Sequence, residues 1–329
     1  MPLIFYILLG VLVVLIIFTV FVFYMSFCSR AFRFIFGRKE PIPRVDRSPV
    51  KIDQKTVFGK GKNWFYTNRS EYLNVRIDSF DKTKLSGYFR PSSDRSSRFA
   101  VILLHAYDEH PTETAAYARL LMRQIECHVL IAHERAHQMS GGKYCTYGIY
   151  ESVDLMRWIG FIKRQVGEDA RIFLVGRGIG ATAALLAAAQ SDFPTDVAGI
   201  IADSPLASLE SYVGAALNTR YGFNMPMVVK SLDKRFKEKL NAGFSACNVI
   251  REASKIRVPV LIFSGADDDI TTPDSVRAIY DDLRCQKRML SVDRAPHLMA
   301  YDKAPATIER EVRSFIEHAV VRLVSIGKM

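Results

Sequence analysis

Cysteine is scarce and carries no pattern. Cys28, Cys127, Cys145, Cys247 and Cys285 are scattered through 329 residues, odd in number and without a C-x-x-C pair. That excludes a disulfide framework and a zinc site of the usual spacing, and it agrees with a reducing compartment. His110, His133 and His137 lie close in sequence but show no metal-ligand spacing, so no metal and no cofactor is expected. Internal repeats and low-complexity tracts are also lacking. No lysine or arginine precedes the first apolar run, and no small-residue cleavage site follows it, which argues against a cleavable signal peptide.

What stands at the N-terminus instead is "LIFYILLGVLVVLIIFTVFVFYM", residues 3–25, 23 residues without a charge. At 1.5 Å per residue this run is long enough to cross a hydrocarbon core of about 30 Å. Residues 1–28 read as an uncleaved transmembrane anchor. Across residues 30–62, ten Lys or Arg face only Glu40, Asp46 and Asp53, a net of seven positive charges out of the chain's +11. The positive-inside rule then predicts a single-pass protein with its C-terminal domain in the cytoplasm. The same basic stretch, read as a juxtamembrane linker over residues 29–62, suits anionic lipid headgroups. Because the excess charge sits beside the span, lipid rather than nucleic acid is the expected partner.

From residue 99 onward, apolar runs of strand length alternate with helical stretches: "FAVILLHA", "HVLIAH", "RIFLVG", "VAGIIAD", "VPVLIFSG" and "RMLSVD". Continuous apolar runs suit strands buried on both faces of a parallel sheet covered by helices. "YLNVRIDSF" and "KLSGYFR" alternate and predict a preceding strand pair. Residues 205–257 break the rhythm, being helical, aromatic and too long for a simple connection, and they read as a lid. The expectation is an α/β domain over residues 63–329.

The stretch "LVGRGIGATAA", residues 174–184, is a strand-to-helix turn with two readings. As G-x-G-x-x-A (Gly176, Gly178, Ala181) it is a dinucleotide fingerprint, with Asp203 at the end of the next strand for a ribose hydroxyl. As G-x-S-x-G it is a nucleophile elbow with Gly176 and Gly180 in place and Gly178 where the serine belongs. The second reading requires an acid and then a histidine after later strands. "FSGADDDITTP" supplies Asp268 and "VDRAPHLMAY" supplies His297.

With "SGGKYCTYGIYESVDLMRWI" and "IIADSPLASL" added, residues 70–320 resemble the α/β-hydrolase superfamily, and within it the membrane-anchored branch similar to serine aminopeptidase S33-like and BEM46-like hydrolases. The resemblance implies an α/β-hydrolase fold with a helical lid. It implies Asp268 as acid, His297 as base, and the N–H groups of Tyr107 and Ile179 as oxyanion donors. His105 falls in the oxyanion loop as a structural residue, with Ala106 where the family has glycine. "HERAHQ" replaces D-x-R-G-H-G, so Ala136 and Gln138 also stand in for glycines. With no side chain at Gly178, no acyl-enzyme forms there. A triad missing its nucleophile keeps only ~10³–10⁴-fold over water against a loss of about 10⁶, so a pseudohydrolase binding a small molecule or peptide is expected. The alternative is an ester or peptide hydrolase using Ser204, or Cys145, or a water activated by His297. Arg177, beside the elbow, reads as solvated.

Protease added to intact cells is expected to leave the C-terminal domain uncut. Digestion of that domain from outside would overturn the orientation.

Overall fold

The computed structural model describes residues 2–40, 53, 55–107 and 109–325. The strands are β1 (Leu73–Asp78), β2 (Lys84–Arg90), β3 (Phe99–Leu104), β4 (His128–Ala132), β5 (Arg171–Arg177), β6 (Val197–Asp203), β7 (Val260–Gly265) and β8 (Lys287–Val292). They form one sheet in the order β1-β2-β4-β3-β5-β6-β7-β8. The alternating segment β2 runs antiparallel to β1 and β4, and the continuous apolar strands are parallel, as their burial on both faces requires.

Period-two alternation divides each inner strand between two cores. Ile102, Leu104, Leu174, Ile200 and Ala202 face α4 (Ile149–Val166), α5 (Ile179–Ala188) and α9 (Pro273–Asp282). Val101, Leu103, Phe173, Val175 and Ile201 face α2 (Val57–Thr67), α3 (Ala115–Leu121), α10 (Ala300–Lys303) and α11 (Pro305–Ser325). The register pairs Leu104 with Gly176, Ala202 with Ile262 and Gly265 with Val292. The turns that follow β3, β5, β7 and β8 therefore gather at one edge. The chain leaves β3 to one side for β4 and returns on the other for β5, which opens a crevice at that edge. The lid expected over 205–257 is helical: α6 (Leu209–Tyr221), α7 (Pro226–Leu240) and α8 (Val249–Ala253), its ends joined by a bridge between Ser208 and Asn248.

One boundary falls elsewhere than the sequence implied. The first helix, α1 (Pro2–Phe36), does not stop at residue 28 but continues through the first eight residues assigned to the linker. Cys28, Ala31, Phe32, Ile35 and Phe36 recur at helical spacing on one face, and all five are buried. The Phe36 ring meets Tyr147, Phe236 and Phe244 at 5.8, 4.9 and 5.6 Å. The backbone is tied as well: Cys145 N–H donates to Phe36 O at 2.9 Å, and the Tyr147 hydroxyl donates to Ile35 O at 2.8 Å. At the other end of the linker, α2 begins at Val57. The middle of the linker, residues 41–52 and 54, lies outside the described residues.

The foot of α1 is thus core of the domain rather than tether. Phe36→Ala is expected to destabilise the detergent-solubilised full chain by about 3–5 kcal/mol, whereas Ile16→Ala, in the exposed part of the same helix, changes domain stability by under about 0.5 kcal/mol. Denaturant unfolding of the two variants tests the difference.

Candidate active site

Between β5 and α5 the chain turns within one residue, at Gly178, with φ +50° and ψ −113°. A side chain there is strained by the backbone, so glycine suits the turn, whereas a catalytic elbow holds a serine in it despite the strain. The Gly178 N–H donates to Asp203 O at 2.8 Å, and Gly178 O accepts from the Thr182 hydroxyl at 3.0 Å. Ile179 opens α5. A Cβ added at Gly178 lies 3.1 Å from the Ala106 methyl and 3.9 Å from Leu298 Cδ1. The Ala106 methyl therefore crowds the space that a side chain at position 178 would need.

Asp268 and His297 do come together. Asp268 Oδ2 accepts from His297 Nδ1 at 2.8 Å and from the Thr271 hydroxyl at 2.8 Å, while Oδ1 accepts the N–H groups of Ile270 and Thr271 at 2.9 and 2.7 Å. Burial opposes the charge on Asp268, but the His297 imidazole and the Thr271 hydrogen bonds outweigh it and hold the carboxyl below its ordinary value. With Nδ1 on the carboxylate, His297 also lines a cavity. That cavity has a volume of about 270 Å³ and is lined by Gly178, Ile179, Tyr107 and His297 among others. The two expected oxyanion residues thus flank the glycine.

Arg177 is buried rather than solvated, a correction to the sequence reading. Its guanidinium donates to Glu109 Oε1 at 2.6 Å, to Asp203 Oδ2 at 3.3 Å and to Leu298 O at 2.8 Å, and it lies 3.6 Å from the centre of the Phe58 ring. Glu109 Oε2 in turn accepts the Ala106 N–H at 3.1 Å. One cation therefore links the loops after β3 and β8 to the ends of β5 and β6. Its partners stand far from it in sequence, so no local pattern announces the network. His105 supports the same loop, accepting from Glu134 N–H at Nε2 and donating from Nδ1 to Ala106 O. Burial pushes its pKa well down and keeps the ring neutral.

Ser204, Cys145 and Asp203 are not placed for the roles that the alternative readings gave them. Ser204, proposed as a displaced nucleophile, is fully buried at φ +51° and does not line the cavity. Cys145 is buried too, and burial raises its thiol pKa well above the ordinary value, which leaves it an inert thiol. Asp203, required by the dinucleotide reading, is fully buried and engaged by Arg177, Ser204 and the Tyr117 hydroxyl. Among the described residues no three His, Cys, Asp or Glu converge as a metal set.

No family model matches the chain. An uncharacterized protein of Bacillus subtilis, YqkD, is 28% identical over 221 residues, 66% of this chain and 71% of its own length. The esterase Pf2001 of Pyrococcus furiosus superposes with a TM-score of 0.61 at 24% identity, covering 84% of this chain and 97% of its own. Est1E of Butyrivibrio proteoclasticus, with ferulic acid bound, gives 0.57 at 17% identity over 75% of this chain and 99% of its own. The chain has the α/β-hydrolase fold. Within that fold the crevice beside β3 and β5 is the place where Gly178, Asp268 and His297 meet.

A carboxyl whose folded pKa lies below its unfolded value contributes stability fully above the unfolded value and loses it as the pH falls through the folded one. The stability gap between wild type and Asp268→Asn is therefore expected to shrink as the pH falls from the ordinary carboxylate range through the lower folded value of Asp268. Unfolding curves at a series of pH values test this, and a gap independent of pH would contradict it.

Proposed function

We propose that this is a membrane-anchored protein of the α/β-hydrolase fold that keeps the acid and base of a triad without its nucleophile, and that binds a ligand in the old catalytic crevice. The observation that carries the reading is the turn at Gly178. Its backbone has the sharp strand-to-helix geometry of an elbow, it faces the cavity beside the Asp268–His297 pair, and it offers no atom for acyl transfer. The G-K-Y-x-T-Y-G segment supports the serine aminopeptidase S33-like and BEM46-like branch as the relation.

Anchoring is supported by the same helix that forms the core. α1 is long and apolar enough to cross a membrane, and none of its most apolar window is buried. A cleaved signal would remove a helix whose Phe36 and Cys28 are wholly buried in the domain. The basic residues that follow the span support a cytoplasmic domain in contact with anionic lipid, although Arg38 is already engaged by the carbonyls of Gln138 and Ser140.

One observation favours residual chemistry as a second reading. His297 has Nδ1 committed to Asp268 and its side chain is 18% exposed, the arrangement of a general base on water. Such a route lacks the covalent step and stays within ~10³–10⁴-fold of the uncatalysed rate.

A fluorophosphonate probe separates the readings on the full chain. Wild type is expected to remain unlabelled. Gly178→Ser alone is expected to label weakly, because its Cβ crowds Ala106, and the double variant Ala106→Gly/Gly178→Ser to label strongly and to lose labelling with His297→Ala. A labelled wild type would mean that another nucleophile operates. Silence of the double variant would mean that Asp268 and His297 no longer form a working base.

A further inference from the structure

The crevice is walled by the anchor helix itself. Phe34, Ile35 and Lys39 line it opposite Gly178, Leu298 and His297, and the oxyanion-loop Tyr107 donates its hydroxyl to Ile35 O at 3.1 Å. Lid helix α6 runs back along α1 from this wall toward the span. Tyr212 and Ala216 line the cavity, the Arg220 guanidinium lies 4.3 Å from the centre of the Phe34 ring, and the Tyr221 ring meets Phe27 at 5.1 Å. Helix α7 then hydrogen-bonds to α1, with the Tyr24 hydroxyl donating to Met227 O at 3.1 Å and paired with Ser231 Oγ at 2.8 Å.

Tyr24 belongs to the last turn of the uncharged run, so the α6–α7 turn stands at the level where that run ends. This turn and the first turn of α7 expose large apolar groups, Phe223 at 59% and Met227 at 74%. Single exposed apolar residues need no explanation, but these two continue the bare apolar surface of the span. From Phe27 to Ile35 the helix rises about 12 Å, enough to cross a headgroup layer. The lid tip therefore sits at the hydrocarbon edge and the cavity mouth just outside the headgroups.

The cavity's chemistry selects what comes through that mouth. Its floor is Gly178 against the Ala106 methyl, with Ile179, Leu206 and Leu298 around it, and the missing serine makes this floor more apolar still. Lys39 lines the cavity with its Nζ donating to Phe34 O at 2.9 Å, and Arg220 reaches the same wall through Phe34; Nζ and the guanidinium each lie 4.3 Å from the Phe34 ring centre, and neither has an acidic partner among the described residues. About 270 Å³ is at the small end for a ligand pocket, room for one chain rather than two.

We propose that the crevice binds a single-chain amphiphile with an anionic head drawn from the bilayer, its tail against Gly178 and its head between Lys39 and Arg220. The proposal rests on α1 being a membrane anchor and does not depend on whether catalysis survives.

The test uses the full chain in phosphatidylcholine vesicles carrying trace single-chain probes with a diazirine near the chain end. The probes are a fatty acid, a lysophosphatidate and a lysophosphatidylcholine, and cross-links are mapped by mass spectrometry. Both anionic probes are expected to label Tyr212 and Leu298, and a preference between them tells carboxylate from phosphate as the head. Ala216→Trp is expected to abolish that labelling while labelling of residues 3–25 persists. Lys39→Glu and Arg220→Glu are each expected to lower it about two- to fivefold for the anionic probes alone. Met227→Asp, exposed and so without effect on folding, is expected to lower it in vesicles but not in detergent. Labelling confined to residues 3–25 would overturn the pocket, and equal labelling by the zwitterionic probe would overturn the head assignment. Indifference to Met227→Asp in vesicles would overturn the route. Absence of any labelling within 3–25 would instead overturn the anchor on which the proposal rests.

Discussion

The seating of the α1 foot in the domain is the contact on which the rest of the structure depends. A membrane helix joined to a soluble domain by a loose tether leaves that domain free to rotate and its site facing any direction. Here five side chains of the helix are buried, and its last carbonyls are hydrogen-bonded by Cys145 and Tyr147. Burying one aromatic ring of this kind is worth about 1.5–3 kcal/mol, so the whole foot contributes on the scale of a domain's net stability. The orientation of the sheet edge relative to α1 is thereby fixed, and with it the direction in which the crevice opens.

A second constraint holds that crevice in shape. The buried cation Arg177 is kept by two carboxylates, and removing it leaves both of them unpaired in the interior, typically a loss of about 3–5 kcal/mol. Through Glu109 it fixes the backbone at Ala106, and through Leu298 O it fixes the residue after His297. The crevice is thus held in shape by contacts that need take no part in any chemistry there. Neither Arg177 nor Glu109 need touch a substrate for the Asp268–His297 pair to remain aligned with the empty elbow.

Much of this was legible in the sequence. Strand positions followed from the apolar runs, and the resemblance carried by Gly178, Asp268 and His297 after β5, β7 and β8 anticipated that the three converge. The illegible parts have a common cause. Arg30, Arg33 and Arg38 made the stretch after residue 28 look like linker when counted as charge, although Cys28, Ala31, Phe32, Ile35 and Phe36 kept a helical period beneath them. Arg177 looked solvated because its partners, Glu109 and Asp203, lie on other strands' ends, and a composition reading has no access to such pairs. Tyr212, Arg220 and Lys39 were invisible as a group because the lid's path over the sheet is set by packing.

The loop 133–148 joins these themes. Ala136 and Gln138 occupy positions where the hydrolase pattern has glycine, and both keep positive φ, +61° and +40°. Non-glycine residues in that region cost about 1–2 kcal/mol each, so something must hold the loop in its strained path. On one side β2 does so, with Gly141 N–H donating to Lys84 O and Ser86 N–H to the Ser140 hydroxyl, and on the other the end of α1 and the residues after it. Arg38 is hydrogen-bonded to the carbonyls of Gln138 and Ser140, Arg38 N–H donates to Lys143 O, and Cys145 N–H donates to Phe36 O. The segment that most resembles a hydrolase motif, "GKYCTYG", is the surface on which α1 ends. A loop that carries Ala136 and Gln138 at positive φ is thus held from both sides, by β2 and by the seat of the helix.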